Sequence, residues 1–90
     1  MTDMQWREPT WGHRVIKWTS THGDEYFEIR EVYYDRNGKI DGWTAEGIIP
    51  YGENLDELRE TLEWMLKALE KPVLIESKNE RGRDVLIEAE

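Results

Sequence analysis

Two histidines, two serines and no cysteine set the chemistry available to this 90-residue chain. A serine nucleophile needs a base beside it and a sharp turn that exposes it, and neither Ser20 nor Ser77 stands in a strand-turn-helix elbow. Without cysteine there is no thiol, no disulfide and no thiolate zinc site. His13 and His22 fall in or near loops, with no second or third ligand at metal spacing, and read as surface histidines. The glycines do not build a phosphate-cradling loop. The run "DRNGKIDGWTAE", Asp35 to Glu46, has Asp first, Asn third and Glu twelfth, as a calcium loop does. However, Lys39 stands where an oxygen ligand belongs, and Ile40 where the sharp turn needs glycine. The sequence therefore yields no catalytic, cofactor-binding or metal-binding set.

Carboxylates remain. Glu31 alternates in phase with Phe27, Ile29 and Tyr33, which turns it toward their side of a strand. The plain reading is a carboxylate at a sheet margin or paired with Arg30 or Lys17. The chemical alternative is a small carboxylate-based enzyme or ligand-binding domain around Glu31, Tyr33 and Trp43. Glu53, Asp56, Glu57, Glu60 and Glu63 lie opposite a leucine stripe on a helix, and the first three complement its positive N-terminus. Trp64 points about 145° away from the centre of that stripe. An aromatic anchor beside a charged rim is typical of interface hot spots. The expected partner-binding set is Trp64, Glu57, Glu60, Glu53 and Asp56, with Trp43 joining it; the other reading covers Trp64 with the chain's own N-terminal arm or a homodimer mate.

Charge narrows the partner. Twelve basic residues face twenty acidic ones, for a net charge of −8, and residues 46–90 hold six basic groups against twelve acidic. Binding to nucleic-acid backbone needs positive charge, so direct nucleic-acid binding is not expected. An acidic surface suits a basic protein partner, and an inhibitor mimicking nucleic acid would share it. No apolar run reaches the length of a membrane span and residues 1–8 lack the blocks of a signal peptide, so a soluble cytoplasmic protein is expected.

The elements that must position these groups follow from period and punctuation. Residues 1–12 read as an irregular N-terminal arm, and His13 to Thr19 as a first strand with Ile16 and Trp18 on one face and Val15 and Lys17 on the other. Ser20 to Glu25 reads as a loop, followed by the strand "EYFEIREVYYD". "DRNGK" is a hairpin turn with Gly38 in the left-handed position. A third strand is expected from Lys39 to Ile49, ended by Pro50. Asn54 caps a helix whose apolar stripe is Leu55, Leu58, Leu62, Met65, Leu66 and Leu69, and Pro72 stops it. "VLIES" is a further strand, and residues 79–90 form either a terminal strand or a frayed tail. The expected class is α+β in one domain spanning 1–90: an antiparallel three-stranded meander, one amphipathic helix on one face, then one or two short C-terminal strands.

The stretch "IIPYGENLDELRETLEWMLKALEK", residues 48–71, resembles the strand-turn-helix passage of HicB-like antitoxins through Pro50, Gly52, Glu53, Leu55, Asp56 and Glu57. The wider block from "EVYYD" to "KPVL" is similar to short bacterial proteins of no assigned function. The first resemblance implies the meander-plus-helix fold and a habit of binding a small basic protein. That family's DNA-binding module has no counterpart here, and its meander's glycine and aspartate pattern is missing. The expectation is thus an acidic, antitoxin-like or inhibitor-like interaction module without catalysis of its own.

Overall fold

The computed structural model describes residues 10–89. In chain order the elements are β1 (Thr10–Thr19), β2 (Glu25–Tyr34), β3 (Ile40–Trp43), α1 (Leu55–Lys67) with a single 3₁₀ turn (Ala68–Glu70), β4 (Leu74–Lys78) and β5 (Asp84–Glu88). All five strands join one sheet in the order β3-β2-β1-β4-β5. The fold is α+β, with β4 and β5 paired as a hairpin.

One turn design closes all three hairpins. In Ser20–Asp24, Asp35–Lys39 and Asn79–Arg83, the first residue's N–H bonds the fifth residue's carbonyl, at 2.8, 2.8 and 2.9 Å. The first side chain accepts the N–H groups of the third and fifth residues. The fourth residue is glycine at φ 78 to 89°, a conformation that costs any residue with a Cβ. Such a type I turn with a glycine bulge matches the twist of the strands it joins.

Two strand boundaries differ from expectation. β1 begins at Thr10, so residues 10–12 of the expected arm are strand and His13 lies within a strand, not in or near a loop; residues 1–9 fall outside the described residues. β3 ends at Trp43 instead of continuing to Ile49. Beyond Trp43 the chain still touches β2, through Thr44 N–H to the Glu31 carbonyl at 3.0 Å and Ile48 N–H to the Ile29 carbonyl at 2.8 Å. Four positions of the one strand there run against two of the other, so the excess chain bulges out and the ladder stops.

Residues paired across the sheet share a face. On one face Ile16, Val32 and Leu74 are fully buried, with Tyr34, Ile40, Trp43 and Leu86 packed against them. The crossover through α1 lays β4 parallel to β1 at Ile16↔Leu74 and Lys17↔Ile75. Arg14 holds this joint from the side: its guanidinium donates to the Tyr34 hydroxyl at 3.0 Å and to the Pro72 carbonyl at 2.7 Å.

On the other face, α1 covers β1. Asn54 caps the helix by accepting the Glu57 N–H at 2.9 Å, while the Glu57 carboxylate reaches back to the Glu53 N–H at 3.0 Å. One group left open by any helix start is thus satisfied, and the residue before the cap is tied to the first turn. Of the six stripe residues only Met65 is buried and Leu58 half-buried; Leu55, Leu62, Leu66 and Leu69 are exposed. The helix is rolled so that Leu58, Thr61, Met65 and Ala68 face inward. Gly52 permits this setting, because a Cβ there would meet the Leu58 backbone nitrogen at 2.4 Å. The Thr61 hydroxyl bonds the Tyr51 carbonyl at 3.1 Å and fixes the same roll.

Candidate protein-interaction surface

The capped start of α1 sets the acidic side chains in order. Glu53, Asp56, Glu57 and Glu60 are all exposed along the outward side. Two of them have local work: Glu57 completes the cap, and Asp56 accepts Arg59 at 3.4 Å. Glu53 and Glu60 have no ion pair among the described residues, so their charge faces water.

Trp64 is 54% exposed on one flank of the helix. Residue 11 of the expected arm does reach it, as part of β1: the Trp11 and Trp64 rings meet edge-to-face with centroids 6.3 Å apart. Trp11 also meets His13 edge-to-face at 5.2 Å. These three rings, with Lys67 and Lys71, line an open cleft of about 320 Å³. Neither lysine has an ion pair among the described residues, so the Trp64 flank carries lysines toward the helix C-terminus and the acidic row toward its N-terminus.

Trp43 lies on the opposite face of the sheet and donates its indole N–H to Glu76 at 3.4 Å. The same carboxylate accepts Arg30 at 3.1 Å, and Glu28 takes the other side of that guanidinium at 2.6 Å. Arg30 is 3% exposed, so it bridges β2 to β4 across Ile16 as a buried charge with two counterions. Hence Trp64 and the acidic row share one element, and Trp43 belongs to a different surface.

Glu31, Tyr33 and Trp43 are likewise divided between faces. Glu31 pairs with neither Arg30 nor Lys17; its carboxylate accepts the Tyr33 hydroxyl at 2.6 Å. That hydrogen bond raises the Tyr33 phenol above its ordinary value, with desolvation and the negative charge of Glu31 acting the same way. Across the β1–β2 ladder, Glu31 stands opposite His13 and Tyr33 opposite Trp11.

Sequence reasoning missed both the cleft and the two buried arginines. Arg14 and Arg30 alternate in phase with the buried Ile16 and Val32, which is a signal for an inward cation. Nothing local links Trp11 to Lys71, since strand pairing and the helix crossover bring them together. No protein-family model, no curated protein and no solved structure matches the chain.

Proposed function

We propose that this chain is a non-catalytic protein-interaction or regulatory module, of the antitoxin-like or inhibitor-like kind, whose partner is a small basic protein. The observation that carries the reading is Trp64, half exposed at the border of the outward acidic row. A large aromatic side chain buries much apolar area with few rotors to immobilise, and the carboxylates on its N-terminal side steer a cationic partner. The partner would set an apolar pocket over Trp64 and basic side chains against Glu53 and Glu60, which have no counterion to lose among the described residues.

The test is affinity capture with the tagged chain, followed by identification of the captured protein. A small basic protein is expected, with Trp64→Ala and Glu60→Lys each reducing capture at least tenfold while the circular dichroism spectrum stays unchanged. Capture that is insensitive to both substitutions would refute the surface.

A second reading, as a ligand-binding domain, is favoured by the cleft beside Trp64. Its ring walls and two lysines without counterions suit a small planar anion. Adenosine monophosphate should quench tryptophan fluorescence, whereas adenosine or inorganic phosphate alone should not. Loss of the effect in Lys67→Gln would support this reading, and equal quenching by phosphate alone would end it.

A further inference from the structure

The other flank of α1 has no cover. Leu55, Leu62, Leu66 and Leu69 follow one another at steps of seven, four and three, which puts them in a single row beside the inward face. The row adjoins the sheet through a shallow cleft of about 350 Å³, lined by Ile29, Ile48, Pro50, Leu62, Leu66 and Leu69 among others. No charged side chain lines it. Phe27, two residues before Ile29 on the same face of β2, is 62% exposed, and Ile49 beside the cleft is 83% exposed.

The extent of this surface argues for an occupant. At about 150 Å² for each side chain, the low end of the aromatic range and fitting the smaller Leu and Ile, Phe27, Ile49 and the four leucines expose on the order of 600 Å² before Ile29, Ile48 and Pro50 are added. Monomers rarely leave more than about 300–600 Å² of contiguous apolar surface in water. A standard interface takes roughly 800 Å² from each partner. One flank of one copy thus nearly supplies half of such an interface.

We propose that the leucine flank of α1 joins two copies of this chain about a two-fold axis, with the helices antiparallel. The charges on the flank's outer margin support self-pairing. Arg59, which contacts Asp56 within one copy at 3.4 Å, stands toward its N-terminal end and Glu70 toward its C-terminal end, so parallel packing brings like charges together and antiparallel packing brings opposite ones. Glu63, near the axis, faces its own counterpart in either arrangement and does not choose between them. With the axis between Leu62 and Leu66, Leu62 of one copy meets Leu66 of the other, and Arg59 falls within one residue of the second copy's Glu70. Antiparallel helix dipoles also oppose favourably. An isologous contact of this kind closes on itself and stops at two copies. The Trp64 side remains free in this dimer, so the two surfaces stand or fall separately.

Sedimentation equilibrium of the full chain, from micromolar to submillimolar concentration, tests this. The expected result is a reversible monomer–dimer equilibrium. Leu62→Glu with Leu66→Glu should be monomeric throughout with an unchanged circular dichroism spectrum, since both side chains already face water. Trp64→Ala should dimerise as the wild type does. Arg59→Glu lies on the solvated rim and leaves folding intact; it should weaken association about tenfold, and adding Glu70→Arg should restore it. A wild type that stays monomeric would overturn the proposal, as would a dimer that survives the double glutamate variant or ignores the charge reversal. A dimer lost in Trp64→Ala and kept in the leucine variants would place the contact on the other flank.

Discussion

On one flank of α1, Trp64 meets Trp11 edge-on, and two lysines border the pair. On the other, four leucines form a row, and three of them, Leu62, Leu66 and Leu69, border a shallow cleft with Ile29 of β2 and with Ile48 and Pro50 of the segment before α1. The helix has an apolar arc wider than the part of it that packs inward, so Leu55, Leu62, Leu66 and Leu69 face water or another molecule. Rolling the helix toward the leucines would bury them on β2 and lift Ala68 and Met65 off β1. The observed roll does the opposite, and the close approach of Gly52 to Leu58 and the Thr61–Tyr51 bond hold it there. Amphipathic period therefore states how much of a helix is apolar, and the connecting loop decides which part becomes core.

The sharpest way to break the contrast is to remove what lies between the flanks. Met65→Ala should lower unfolding free energy by about 3 kcal/mol, read from the urea midpoint, because the residue is buried and leaves a cavity. Arg30→Ala should follow at roughly 2–4 kcal/mol, since Glu28 and Glu76 would then face each other without their shared cation. Asn54→Ala should cost about 1 kcal/mol through loss of the cap, and should weaken both flanks together.

Smaller still, Leu66→Ala should leave the unfolding midpoint of the dilute chain nearly unchanged but abolish its rise with protein concentration, which any folded-state association produces. The last effect is spectroscopic. The Tyr33 phenol is raised, so its contact with Glu31 stabilises the fold fully below the ordinary phenol value and loses that contribution as pH rises through the folded one. In Glu31→Gln, absorbance titration should show one tyrosine ionising at lower pH than in the wild type.

Much of this could be read from particular residues. "DRNGK" announced its hairpin, and "STHGD" and "NERGR" carry the same grammar: an oxygen-bearing side chain first and glycine fourth. The first reads as a loop and the second as a turn between two short strands, either a terminal hairpin or a strand and a frayed tail, because neither is flanked by so clear a strand on both sides. Asn54, Glu57 and Pro72 marked the helix because capping and proline chemistry are local. Leucine exposure was not legible, since it depends on how a loop three residues before the helix is packed. The Arg30–Glu76 bridge was hidden for a similar reason: its partners meet only after β4 has crossed to β1.

That crossing also says something about the order of events during folding. Each hairpin closes through a five-residue turn, so its contacts are local and quick to form. The parallel joint of β1 with β4 rests on two residue pairs, and Ile16 to Leu74 closes a loop of 58 positions. Such a long closure is entropically costly and comes late. The meander and the C-terminal hairpin are then two early-forming units, latched by Ile16, Leu74 and the Arg14 clamp. In native-state hydrogen exchange, the amides along this seam should open together, ahead of those within the β1–β2 ladder.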